Sequence, residues 1–211
     1  MVERRTVEDR LRSEYATLLP AMQRTRTEVE TEVQHLLLPA TLGLDQYERI
    51  IVRARLKDCE SAVDALRRRE KFGFFDADHP KQYSLTSLPD LVGVRVLTFP
   101  QRCLEEAHET LLPRLDGWVA DHIEPIVFKY TGRWNPGDLV RSEIQVMSLL
   151  IGLFWEAEHS AIYKPSPNLR GIAPRMKDRS SAVIVALQEF ESEFGRLIEE
   201  EATNSQDPDR L

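Results

Sequence analysis

Cysteine is nearly absent: Cys59 and Cys103 are the only two in 211 residues. They lack C-x-x-C spacing and have no histidines placed to complete a zinc site, which argues against a thiolate metal centre and leaves reduced structural thiols. Long apolar runs are missing too. The longest, around "VMSLLIGLFW", falls well short of the roughly 20 residues that cross a bilayer, and the start, "MVERRTVEDRLRSEY", has no apolar signal-peptide core. A cytoplasmic protein with no membrane partner is expected. An excess of basic charge is likewise lacking: 28 Lys and Arg against 35 Asp and Glu give a net charge of −7. Non-specific nucleic-acid binding through bulk charge is thereby disfavoured, and only local basic clusters remain. There is no internal repeat, and only "NSQDPDRL" reads as a frayed tail.

What is present, 42% hydrophobic and 30% charged residues with 9 glycines, describes a soluble globular chain rich in helix. Its length suits one sizeable core. The expected division is an N-terminal helical extension over 1–42, a central α+β domain over 43–180, and a C-terminal helix and tail over 181–211. Pro20 and Pro39 punctuate the first part into two helices, Val7 to Leu19 and Met22 to Leu38, packed outside the core. In "YERIIVRARLKD", Ile50, Val52, Ala54 and Leu56 alternate with Arg49, Arg53, Arg55 and Lys57, the period of a strand with a basic outer face. "ESAVDALRRREK" follows as a helix with a basic end.

"SLPDLVGVRVLTF" reads as a second strand led by Asp90, with Val92, Val94 and Val96 on one side and Gly93 and Arg95 on the other. After a helix from Gln101 to Leu112, "GWVADHI" and "PIVFKYTG" have the composition of short strands. In "LVRSEIQV", Val140, Ile144 and Val146 alternate with Arg141, Glu143 and Gln145. A helix from Leu149 to Tyr163 carries Phe154, Trp155, Glu158, His159 and Ile162 at spacings of three and four. "KPSPNLRGIAPRMKDR" is a basic, proline-rich loop. The last helix, Ser181 to Glu199, has Ile184, Leu187, Phe190, Phe194 and Leu197 on its apolar side and suits packing or oligomerisation; a homo-oligomer through the terminal helices is expected.

If the polar faces coincide, Arg53, Arg55, Lys57, Arg95, Glu143 and Gln145 make one cationic surface with fixed carboxylates. Arginine forks and lysine match phosphate oxygens, and Asp90 with Glu143 suits Mg2+, which takes one or two carboxylates plus substrate phosphates. Each signal alone has a plainer reading. The basic row is then a solvated strand face, Asp90 a turn residue, and Glu143 an exposed partner to Arg141.

Taken in order, "RARLKDCESAVDALRR", "LPDLVGVRVLTF", "SEIQV" and "FWEAEHSAIYK" resemble the synthetase domain of the RelA/SpoT family, which makes guanosine tetra- and pentaphosphate alarmones. The resemblance covers Tyr47 to Lys164. It implies a mixed β-sheet flanked by helices, with N- and C-terminal helical extensions, and a pyrophosphokinase that moves the β,γ-pyrophosphate of ATP onto the 3′-hydroxyl of GDP or GTP. It also implies roles. Arg55, Lys57 and Ser61 match the block that holds ATP. Arg95 matches an arginine that stacks on adenine opposite a first-strand arginine, here Arg53. Asp90 matches the Mg2+ ligand, and Glu143 the catalytic glutamate that assists the metal and activates the attacking hydroxyl. His159 and Lys164 match the block after the glutamate strand, His159 either steadying the helix or contacting phosphate.

Two departures stand out. The family's "YxSxH" block, whose tyrosine stacks on the acceptor guanine, is missing. "FKYTGRWNPGD" occupies that region, with Lys129, Tyr130 and Gln145 as candidate acceptor contacts and Tyr130 or Trp134 as the only candidate rings, each also readable as a packing aromatic. Ala65 stands where many members carry lysine; Arg67 and Arg68 are the nearest replacements, out of helical register. The length matches a small, single-domain synthetase. A tRNA 3′ end as acceptor, favoured by the basic loop through Lys164, Arg170, Arg175, Lys177 and Arg179, and an inactive nucleotide-binding relative are the alternatives.

Overall fold

The computed structural model describes residues 6–69, 83–122, 127–163, 171 and 173–205. Helix α1 (Val7–Leu42) leads into strand β1 (Arg49–Leu56) and helix α2 (Cys59–Arg69). Strand β2 (Val92–Phe99) and helix α3 (Gln101–Leu111) follow, then β3 (Val119–Ala120), β4 (Val127–Gly132) and β5 (Ser142–Ser148). Helix α4 (Leu149–Glu158) runs on through a π-type turn, His159–Tyr163, and α5 (Ala173–Ser205) closes the order. The strands form one mixed sheet in the order β1-β2-β5-β4-β3. Among the described residues only the β2–β5 pair is parallel; the other pairs are antiparallel. This is the mixed sheet with flanking helices that the sequence led us to expect.

The N-terminal expectation needs correction. Val7–Leu42 is a single helix that contains both Pro20 and Pro39, and it is built into the core. Leu11, Leu18 and Met22 pack with Ala62, Val63 and Leu66 of α2 and with Leu85, Leu88 and Leu91. Val29, Val33 and Leu37 pack with Val94, Val96, Ile144 and Val146 of the sheet and Leu104, Ala107 and Leu111 of α3. Both prolines lie on the exposed side, where water replaces the lost backbone bond. Burial along the other side outweighs the roughly 3 kcal/mol that an internal proline costs.

Alternation divides the sheet. Its even-numbered positions, among them Val94, Val96, Ile144 and Val146, face α1 and α3. The odd-numbered face has two ends. At one end Ile51, Leu97, Val127 and Met147 pack with Leu149 and Trp155 of α4. At the other end the charged residues gather. Gly152 lets α4 lie this close, since a Cβ there would stand 2.5 Å from Leu97 Cδ2.

Helix α5 also differs from expectation. It starts at Ala173, inside the expected loop, and its more buried side runs through Ile184, Leu187, Glu191, Phe194 and Ile198. Phe194 meets the rings of Tyr47 and Phe99. Phe190 and Leu197, expected on the packing side, are half exposed. The loop's Arg175 and Arg179 stand exposed on α5, whereas Lys164, Arg170 and the side chain of Lys177 lie outside the described residues. No helix among the described residues is long and apolar enough to cross a membrane.

Candidate active site

Strand register brings the charged side chains into two adjacent rows. Arg53 pairs with Arg95, Arg95 with Gln145, and Gln145 with Lys129. In the next row Arg55 pairs with Gly93, Gly93 with Glu143, and Glu143 with Thr131. Residues opposite one another on neighbouring strands point to the same face, so four strands contribute to one surface. Gly93 leaves room for Arg55 to lie across it: a Cβ at Gly93 would be 3.3 Å from Arg55 Nε.

A continuous polar chain crosses this surface. Arg95 donates Nη1 to Glu156 Oε1 at 3.0 Å and Nε to Gln145 Oε1 at 3.0 Å. Gln145 donates Nε2 to Glu143 Oε1 at 2.8 Å. Lys129 Nζ lies 3.6 Å from the other Glu143 oxygen and donates to Asp121 Oδ2 at 2.9 Å. Arg53 joins at the far end, its Nη1 3.7 Å from Glu156 Oε2. Gln145 is thus the link that joins the arginine pair to the glutamate.

Glu143 is 8% exposed. Burial pushes its carboxyl pKa up; Lys129 draws it back, Asp90 adds to the rise, and Arg55 and Lys57 oppose it. Lys129 is the converse case: burial disfavours its charge, yet the hydrogen bond to Asp121 and the charge of Glu143 carry its pKa above the ordinary value. Arg95 has its pKa lowered by burial first and by neighbouring Arg55 second. Asp90, just before β2, is held by Lys57 in a close ion pair. Next to it, Asp58 accepts the Ser61 N–H at 2.8 Å and so caps the start of α2.

The structure therefore gathers Arg53, Arg55, Lys57, Asp90, Arg95, Lys129, Glu143 and Gln145, and Ser61 lies on the first turn of α2, four residues after Lys57. It does not gather Arg67, which bonds Glu8 of α1 and Asp64 of its own helix. Tyr130 is a correction. It is 7% exposed and lies on the opposite face of β4 from Lys129, its hydroxyl 2.7 Å from His108 Nε2. Adjacent strand residues cannot share a face, so Lys129 and Tyr130 could not both serve the site. Trp134 is also buried, donating to Glu32 at 2.7 Å with Arg114 over its ring. Neither ring is available to a base on the charged face. His159 opens the turn after α4 and is exposed; Lys164 lies outside the described residues.

Sequence reasoning missed two participants, Glu156 and Asp121. It read α4 through Glu158 and His159, whereas Glu156 is the residue that reaches the arginine pair. No local pattern marks it, because its partners lie on β1 and β2, far away along the chain.

With this geometry in place, the fold is that of the small alarmone synthetases. The chain is similar to the crystal structure of small alarmone synthetase 1 from Bacillus subtilis, with TM-score 0.65 and 19% identity over 89% of this chain and 99% of that one. The same protein bound to its product pppGpp gives TM-score 0.64 and 17% identity over 90% and 99%, and bound to AMPCPP 0.62 and 17% over 89% and 99%. No protein-family model matches the sequence, and no curated protein does.

Proposed function

We propose that this chain is an ATP-dependent pyrophosphokinase, transferring the β,γ-pyrophosphate of ATP to the 3′-hydroxyl of a nucleotide such as GDP or GTP. The observation that carries this reading is the buried Glu143, tied through Gln145 to the arginine pair and flanked by Lys129. Neighbouring structures that hold AMPCPP and pppGpp support nucleotides as donor and product.

In this reading Arg53 and Arg95 take the adenine, and Arg55, Lys57 and Ser61 the phosphates. Glu143 accepts the proton of the attacking 3′-hydroxyl. The new bond forms between that oxygen and the β-phosphorus, and the bond to the α-phosphate oxygen breaks to release AMP. Most of the catalysis is positioning and charge neutralisation. Asp90 and Glu143 fit Mg2+: the charge of Asp90 is felt at Glu143, and both stand beside cations suited to phosphate. Bound there, the ion would neutralise phosphate charge.

A homo-oligomer formed through α5 belongs to the same proposal, supported by a seven-residue recurrence of exposed Met176, Val183, Phe190 and Leu197.

The direct test is Glu143→Gln, which keeps shape and removes the base. Transfer of label from γ-labelled ATP should fall about 10²- to 10⁴-fold, the range for loss of a general base, while ATP binding by calorimetry stays near wild type. Equal turnover by the variant would end the assignment.

A further inference from the structure

At the β4 end of the charged face lies a cleft that the donor residues do not use. Its volume is about 610 Å³, and Thr86, Ser87, Thr131, Gly132, Arg133 and Arg141 are among its walls. A few hundred cubic ångströms is the size of a small-molecule site. Thr131 is the register partner of Glu143, so the cleft adjoins the carboxylate on the side away from β1 and β2. Arg133 donates Nε to the Asp138 carbonyl at 3.1 Å. Among the described residues no carboxylate pairs with Arg133 or Arg141, whereas Arg53, Arg95 and Arg114 each have one. Two guanidinium groups and three hydroxyls, with no acid between them, make a surface for phosphate oxygens.

The cleft is as notable for its lack of rings. No aromatic side chain is among its described walls; Trp118, between the wall residues Gly117 and Val119, lays its ring against Gly132 and edge-on to buried Trp134, and Tyr130 and Trp134 are themselves turned into the core. Stacking on a ring is the usual source of base affinity. We infer that this cleft holds the phosphates of the acceptor, and that the acceptor is a nucleoside polyphosphate selected by those phosphates rather than by its base. The inference rests on the pyrophosphoryl-transfer reading above and adds to it which end of the acceptor is recognised.

The test is an acceptor panel at fixed ATP and Mg2+, with GDP, ADP, CDP, UDP, guanosine and deacylated tRNA, run on wild type and on an Arg133→Ala/Arg141→Ala variant. The four diphosphates should react within about tenfold of one another and guanosine not at all. The double variant should raise their KM by about 10- to 100-fold, the loss expected for charge-assisted hydrogen bonds, with KM for ATP unchanged. A preference above a hundredfold for one base, efficient use of guanosine, label in tRNA alone, or an effect confined to ATP would each overturn it. If the alanines unfold the chain, Arg141→Lys serves instead; it keeps the charge and loses the fork, and an unchanged KM overturns the inference. Equilibrium dialysis of labelled GDP and ADP separates this question from turnover. If wild type transfers nothing, the transfer reading fails, yet loss of both ligands in the double variant still supports the cleft. Equal binding by variant and wild type, or none by wild type, overturns it.

Discussion

Glu143 is a carboxylate that burial would keep protonated and that four charged neighbours dispute. Lys129, Arg55 and Lys57 favour its anion, Asp90 its acid, and burial prevails. A base must be ionised to act, so transfer should rise with pH through a limb lying above the ordinary glutamate value of about 4.3. Lys129→Ala removes the nearest cation and should move that limb higher still; a pH–rate profile that stays in place would show that Lys129 does not tune the base. Glu156 is the other residue with a definite expectation. It pairs with both Arg53 and Arg95, and under the proposed function a donor base held by those arginines would displace it. The carboxylate is about half exposed, so each contact is weak, up to about 1 kcal/mol. Glu156→Gln should therefore tighten ATP binding by about two- to fivefold; an unchanged or weaker Kd would mean that Glu156 moves with the arginines to help hold the base.

At the scale of elements, α4 is what places Glu156, and Gly152 is what lets α4 dock. Gly152→Ala sets a methyl against Leu97 and Met147. Overpacking of this kind costs about 1–3 kcal/mol, which denaturant unfolding would register as a lower midpoint. The seam between β5, α4 and α5 holds another buried carboxylate, Glu191, which accepts the Ser148 hydroxyl at 2.6 Å. Burial raises its pKa and Ser148 only partly offsets the rise. A raised acid pKa means that the folded state binds the extra proton, so stability is lost as pH rises through the folded value. Glu191→Gln removes that loss. Its melting temperature should exceed wild type at neutral pH and converge with it below about pH 4, where glutamate is protonated in both states. A variant less stable at neutral pH would show that the anion itself is needed at the seam.

For the whole molecule, the outward stripe of α5 carries the expectation of self-association. Phe190→Glu with Leu197→Glu should shift sedimentation from oligomer to monomer, and a wild type that sediments as a monomer at working concentration would remove the proposal. Much of the fold was legible in advance because alternation is local: "IIVRARLK" announces a half-buried basic strand, and "SEIQV" a strand with its glutamate on the polar side. That the polar faces of separate strands would coincide was only a condition there, and strand pairing met it. The meeting of Arg53 with Arg95, and of Glu143 with Lys129, depended on strand order and register, which no local pattern contains.

By itself the sequence determined the strands, the polar face of each, and the residue types available for phosphate chemistry, since two-residue periodicity and side-chain chemistry are properties of short segments. Only the tertiary structure decided that α1 continues through its prolines, that Tyr130 and Trp134 belong to the core, and that Glu156 closes over the arginines. Those outcomes turn on what each segment buries against another, and burial energy depends on contacts between residues far apart in the chain.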